Sequence, residues 1–420
     1  MVVGAGIGGA VAALLLARGG TRVTLVDRVT DPRDAGAGIL LQPNGLAVLY
    51  ALGLEGALSA RAARVAGGSI YSRLHRPLIT EPIPGISEEI PAALVIPRGD
   101  LFAILLDAVQ REPNIDLRLG VTATGVLYDG SGVTVRTRDR SVIDLRADLI
   151  VGADGVHSVV RDFVDPRARR RASGYAYVRG LVSCDAPVQF GEWWSELGLF
   201  GAAPVSAPGA PSSVYFFTSI LPGPVAQAVG ARDVHRFRSL WCRAVPAAEP
   251  ILARIRTFDD LLVNEVTRID CRTFAHGRLA LLGDAAHAMA PNLGQGANSA
   301  LVDAAVLMHA LSTEPTIEGA LRAYDARRRP AVRRVQDDAD RFARAAQLRS
   351  RALRRLRDAL LPVIASRVDV KSAVRRMLQE DVSWLRRVSA PSAMSELSSA
   401  RAADERTSYP ADAPHPPQQP

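Results

Sequence analysis

Along this chain the apolar positions change period from strand-like to helix-like and back, block by block. Val2-Val3 runs into a cluster of glycines. Ala10 to Arg18 then carries apolar residues at helical spacing until Gly19-Gly20 ends it, and Thr21 to Val26 reads as a strand. Between Ile115 and Val151 the short runs IDLRL, TATGVLYD, GVTVRT and DLIVG are divided by turns at Asp129-Gly130 and Gly132. They predict a strand, a hairpin and a return to the main sheet. From Ala172 to Asp270 the runs GYAYVRGLVSC, SELGLFG and SSVYFFTS, separated by Pro- and Gly-rich turns, predict a second sheet. Helices are expected there over 232–244 and 249–257, and a further strand over 261–269.

Leu279 to Leu282 is a short apolar run of the kind that fills a buried strand. A turn at Gly283-Asp284 and a loop marked by Pro291 and Gly294 follow. From Gly296 onward Ala297, Ala300, Leu301, Ala304 and Ala305 recur at helical spacing. A strand thus passes through a glycine-rich loop into a helix start, whose unpaired N–H groups and positive dipole end suit an anionic ligand. Arginines alternate with Ala, Leu and Val at helical spacing from Arg341 to Arg387. Beyond Ser389 the Ser-, Ala- and Pro-rich chain is expected to be disordered.

Gly4-Ala5-Gly6-Ile7-Gly8-Gly9 fits GxGxxG through Gly4, Gly6 and Gly9. With strand, helix, strand and the acid Asp27 in order, it predicts a dinucleotide-binding βαβ unit. Gly4 serves the tight turn, Gly6 the close approach of a pyrophosphate, Gly9 the helix packing, and Asp27 the adenosine ribose. Arg28 beside Asp27 is placed to stack on or neutralise the adenine end. Only Met1 to Val3 precede Gly4, which leaves open a short, frayed strand or a start downstream of the true one.

The stretch RLALLGDAAHAMAPNLGQGANSALVD, Arg278 to Asp303, closely resembles the second flavin motif of the FAD-dependent aromatic hydroxylases, the single-component flavoprotein monooxygenases. GAGILLQPNGLAVLYALGL from Gly36, Gly152-Ala153-Asp154-Gly155-Val156-His157-Ser158 with Arg161, and Tyr324 to Pro330 resemble the same family. About four-fifths of the chain is covered. Asp27 departs from the family's more frequent glutamate.

The resemblance implies an α/β fold: a Rossmann-like FAD-binding domain with an interleaved β-sheet substrate domain and C-terminal helices. It divides into a discontinuous FAD-binding domain over 1–171 and 272–340, a substrate-binding sheet domain over 172–271, C-terminal helices over 341–389 and a tail over 390–420. It implies FAD contacts from Gly4, Gly6, Gly8, Gly9, Asp27, Arg28, Gly38, Ile39, Arg98, Asp154, Asp284, Gly294, Gln295, Gly296, Ala297 and Asn298. Asp284 is expected on a ribityl hydroxyl, Arg98 on the pyrophosphate, and the Gly36 to Ile39 loop beside the flavin. Asp154 is expected to cap a helix from about Val156, and Asp100 one from Leu101. Pro291 and Gly294 would form the reacting face; His157 and His287 belong with packing.

In such enzymes NADPH or NADH reduces FAD, dioxygen adds to the reduced ring, and the flavin hydroperoxide passes one oxygen to an aromatic substrate. Tyr175, Tyr177, Trp193, Trp194, Tyr215 and Phe217 are candidates to line the substrate pocket, with Tyr215 and Phe217 foremost. Arg179 either anchors a substrate carboxylate or is plain surface charge. Alternatives on the same fold are a flavoprotein dehydrogenase or reductase that inserts no oxygen, and a non-catalytic flavin-binding protein.

The composition of the 420 residues, 48% hydrophobic and 22% charged, fits a globular protein. No apolar run reaches the eighteen residues of a membrane span, and the glycine-broken start lacks a signal peptide's basic region. Cys184, Cys242 and Cys271 have no metal-ligand spacing and fit a reducing cytoplasm. The net charge of +8 is carried by arginine, with Lys371 the one lysine. No nucleic-acid motif accompanies it, so nucleic acid is not an expected partner. The basic C-terminal helix is expected to pack on its own domain rather than on a membrane, and a monomer or homodimer is expected.

Overall fold

A computed structural model describes residues 1–31, 37–73, 75–83, 85, 90, 92–186 and 188–367. Its first layer is a six-stranded sheet. Strands Leu279–Leu281, Ile150–Gly152, Val2–Val3, Val23–Asp27 and Ile115–Leu119 lie side by side in that order, all parallel, with Ala275–His276 antiparallel at one edge. Val2–Val3 is only two residues long but central and buried, paired on both sides, so it is short without being frayed. Parallel strands buried on both faces read as continuous apolar runs, which is why Leu279–Leu282 was conspicuous in the sequence. Helices Ile7–Arg18, Arg98–Arg111 and Gly296–Thr313 pack around this sheet in the main core.

The second layer is a seven-stranded sheet built from Leu262–Asp270, Arg169–Ser183, Ser213–Ser219, Gly198–Pro204, Gly191–Ser195, Gly67–Ser72 and Pro77–Pro82, in that order. One face carries Val178, Phe200, Phe216 and Trp193 against helix Val234–Ala244, with Phe237 and Trp241 in the same core. The other face carries Tyr177, Trp194, Leu199 and Phe217 toward Ala290 and Leu293 of the first layer. The helix expected over 232–244 is present there as Val234–Ala244. Two points differ. Gly67–Ser72 and Pro77–Pro82 come from within 1–171, and Gly67–Ser72 joins through a parallel pairing with Gly191–Ser195. A parallel partner distant in sequence leaves no local signal. Helix Glu249–Leu252 is also shorter than 249–257.

Position 340 is not a boundary, because helix Ile317–Ala346 runs straight across it with Pro330 inside. Helix Arg351–Arg367 then returns to the sheet: Arg357 is buried, with its guanidinium carbon 4.9 Å from the centre of the Trp194 ring. Residues 368–389 of the expected C-terminal helices, and the tail, lie outside the described residues. Among the described residues no helix is long and apolar enough to cross a membrane.

Candidate cofactor and substrate site

Gly4 has φ +101°, and a Cβ there would stand 2.4 Å from the Ala153 carbonyl oxygen; a Cβ on Gly9 would meet the Gly4 carbonyl oxygen at 1.9 Å. The first glycine loop is therefore pressed against the Gly152–Asp154 turn and against its own helix. Gly6 is different: open space lies above it, and helix Ile7–Arg18 begins there with no side-chain cap and no acid in its first turn. Gly8 turns its Cα toward Leu282 and Ala300, so it serves packing between layers of the core rather than the open space. Asp27 accepts from the backbone N–H of Ala5 at 2.6 Å and of Val29 at 2.8 Å, which sets the loop. Arg28 is exposed beyond it.

Asp154 does not cap a helix at Val156. A 3₁₀ turn, Gly155–His157, intervenes, and helix Val159–Val164 is capped by Ser158, which accepts from the Arg161 N–H. One Asp154 oxygen accepts from the Val159 N–H at 2.8 Å, while the other is buried without a partner among the described residues. Burial pushes the Asp154 pKa up. Arg161 is buried and donates to the carbonyls of Val156 and Ala285, tying this turn to the Gly283-Asp284 turn. His157 is exposed and hydrogen-bonded to Arg170, so it is not packed inside.

At the second loop, Gly294 is left-handed (φ +62°), closing the 3₁₀ turn Pro291–Leu293. Gln295 and Asn298 are buried, and their side chains point inward. Gln295 donates to Gln42 and accepts from Asn44; Asn298 accepts from the Gln42 N–H and donates to the carbonyls of Leu40 and Gly294. Their side-chain amides are thus engaged within the protein. Gln42 and Asn44 were missed because amides flanking Pro43 signal only a helix start. Gly296, with open space around it, begins helix Gly296–Thr313, again with no side-chain cap and no acid in the first turn. Ala297 is partly buried beside it.

Asp284 is exposed and makes no hydrogen bond among the described residues. Arg98, the first residue of its helix, lies within electrostatic reach of Asp284, Arg179 and Tyr215. Asp100 is inside that helix's first turn rather than at its cap. Arg98 keeps accessible surface yet has protein close around its guanidinium. That confinement lowers its pKa, with Arg179 adding to the effect and Asp284 opposing it. Gly38 begins the strand Gly38–Leu41; a Cβ there would overlap the Tyr215 ring, so the ring rests on the backbone. Ile39, next to it, packs on the main core; Gly36 lies outside the described residues.

Cross-strand partners share a face of a sheet. Arg179, Phe217, Gly201, Glu192 and Ile70 are successive partners across five strands and form one such row. Tyr177 lies two residues before Arg179, on the same face. Its hydroxyl donates to Asn292 at 2.9 Å and accepts from Gln347 at 3.0 Å, bridging sheet, loop and C-terminal region. Tyr215 and Phe217 stack with ring centres 5.5 Å apart. Trp193 points to the opposite face, where it donates to His75, and is removed from the candidate pocket. Strand alternation decides this, since Trp193 and Trp194 are neighbours and only one can face each side. Tyr175 and Trp194 lie in the seam cluster with Phe217. Glu192 was not anticipated: burial pushes its pKa up to about 7, opposed by a hydrogen bond from the Trp194 indole N–H.

The residues fit a dinucleotide that carries a flavin. Two uncapped helix starts have open space above Gly6 and Gly296, and Asp284 is an exposed acid with no hydrogen-bond partner among the described residues. Such a pair of helix starts on a doubly layered α/β scaffold suits a dinucleotide-dependent protein. The chain belongs to the FAD binding domain family, whose profile matches residues 1–339, and within it to the FAD-dependent monooxygenases. It is similar to the aurachin C monooxygenase/isomerase of Stigmatella aurantiaca, with 32% identity over 346 residues, 80% of this chain and 86% of that protein. It is also similar to a 3-amino-4-hydroxybenzoate 2-monooxygenase of Streptomyces platensis, 33% identical over 385 residues, covering 88% and 93%. A variant of Klebsiella pneumoniae HpxO complexed with FAD superposes with a TM-score of 0.75 at 25% identity, covering 90% of this chain and 97% of that one.

Proposed function

We propose that this monooxygenase takes its electrons from NADPH or NADH and inserts one atom of dioxygen into a planar aromatic substrate. The substrate would lie beside the contact that the Pro291–Gly294 loop makes with the Tyr177–Phe217 face of the sheet. The relatives that act on hydroxylated, nitrogen-bearing aromatic rings support this reading. The observation that carries it is the seam in which Tyr177 and Phe217 meet Leu293, beside the open start of helix Gly296–Thr313.

Bound FAD supplies the hydride-accepting and oxygen-activating chemistry. The protein's part is to bind and position. The N–H groups above Gly6 would take the pyrophosphate and Asp284 a ribityl hydroxyl. The N–H groups beyond Gly296 would favour negative charge on the ring, each helix start contributing about 0.3–1 kcal/mol. Tyr177, Leu199, Phe217 and Leu293 would exclude water from the reacting face. The test is a panel of aromatic acids and phenols offered to the FAD-loaded protein with NADPH and ¹⁸O-labelled dioxygen, with peroxide measured in parallel. Label in the product supports the reading; NADPH oxidation with no label in any product would favour a dehydrogenase or reductase.

A further inference from the structure

Glu192 is a carboxylate inside the seam with no cation paired to it among the described residues. Its Oε2 accepts from the Trp194 indole N–H at 3.0 Å; its Oε1 makes no hydrogen bond there and is not sealed from solvent. The residue keeps some accessible surface. A partly buried carboxylate with no cation beside it costs stability, and its persistence points to a ligand. Between Glu192 and Arg179 in the same cross-strand row stand Gly201 and Phe217. A Cβ on Gly201 would stand 2.1 Å from the Phe217 ring, so that ring lies over the glycine as an aromatic floor. Arg179 has no acid partner among the described residues and sits 6.0 Å from the Tyr177 ring centre, beside the second cation, Arg98.

Resting on the aromatic monooxygenase reading above, we infer that the pocket is bipolar. It takes a single aromatic ring carrying an acidic group, held by Arg179, and on its opposite edge an amine or ring N–H, held by Glu192. Three strand spacings separate the two residues, about 14 Å. That backbone span admits one substituted ring with a charge-assisted hydrogen bond at each end. A site built to pair such an N–H rejects analogues that lack it, because the carboxylate is then left alone.

The test uses FAD-loaded protein and equilibrium dialysis with three probes: 4-aminobenzoate, benzoate and aniline. The wild type is expected to bind 4-aminobenzoate at least about tenfold more tightly than either single-group probe. Glu192→Ala should lose the preference for 4-aminobenzoate over benzoate while keeping benzoate affinity. Arg179→Ala should lose the preference over aniline. The isosteric Glu192→Gln, which cannot leave a cavity, should give an intermediate loss. Equal binding of benzoate and 4-aminobenzoate by the wild type overturns the inference, as does an unchanged preference in both Glu192 variants. Flavin content and NADPH oxidation are read separately on the same samples. Protein that discriminates the probes but incorporates no oxygen retains the bipolar pocket and loses the monooxygenase reading.

Discussion

Arg328 donates to Asp303 at 2.8 Å, both fully enclosed, across the contact of helices Gly296–Thr313 and Ile317–Ala346. Asp303 also accepts from His287, and from the Gly283 N–H at 3.0 Å; Tyr324 on the same helix as Arg328 donates to the Leu281 carbonyl at 2.7 Å. The Gly283-Asp284 turn, on which Asp284 is exposed, is therefore clamped from behind by an ion-pair cluster. Burial alone would raise the Asp303 pKa, but His287, Arg328 and the Gly283 N–H outweigh it and bring it down to about 2.

Breaking this cluster from one side leaves a charge enclosed without its partner. Arg328→Leu is expected to cost about 3–5 kcal/mol, read as a fall in thermal midpoint together with weaker flavin retention. A midpoint within a degree of the wild type would contradict the clamp. The pH sign follows from the lowered pKa: the contribution is complete above the unfolded value near 4 and is lost as pH falls toward 2. About 2 kcal/mol is at stake, measurable by denaturant titration across that window.

Glu192 has the opposite sign. Its folded pKa of about 7 lies above the ordinary 4.5, so the folded chain holds a proton that the unfolded chain has released. Stability should fall as pH rises from 4.5 to 7, by up to about 3 kcal/mol, and Glu192→Gln should flatten that slope. The groups facing it are the Trp194 indole N–H and the Tyr177 hydroxyl, with Arg357 over the Trp194 ring. Parallel stability curves for wild type and variant would refute the prediction.

Two glycines of one loop should respond differently. Gly6 has φ −64° and open space around it, so Gly6→Val is expected to leave the thermal midpoint unchanged and abolish flavin binding. Gly4→Ala forces a positive φ on a side chain and a Cβ into the Ala153 carbonyl. A loss of about 1–3 kcal/mol or more is expected. Chemical denaturation and bound-flavin absorbance distinguish the two.

Asp284→Ala removes an exposed group with no hydrogen-bond partner among the described residues. It should leave stability within about 0.5 kcal/mol while most of the FAD is lost on gel filtration. A variant that stays yellow and fully loaded would show that Asp284 is not a cofactor ligand.

Local chemistry made much of this legible from the sequence. The βαβ unit could be read because glycine, apolar period and acid follow one another within about thirty residues. The two helix starts announced themselves through glycines with no capping side chain. Gly4 takes the positive-φ turn and Gly9 the close helix contact that their spacing predicted, and Gly8 packs on Leu282 and Ala300.

What the amino-acid order could not express is which side chains share a space. Gln295 and Asn298 face inward because Gln42 and Asn44, some 250 positions earlier, offer them partners. Trp193 and Trp194 part company because neighbouring strand residues point to opposite faces. Glu192 became visible only when four strands consecutive in the chain, paired out of sequence order, set it in one row with Arg179. Sequence determines period, turn and cap, since these act over a few residues. Strand order in a sheet is set through backbone hydrogen bonds common to every residue type, so tertiary structure alone decided how far apart the pocket's two ends stand.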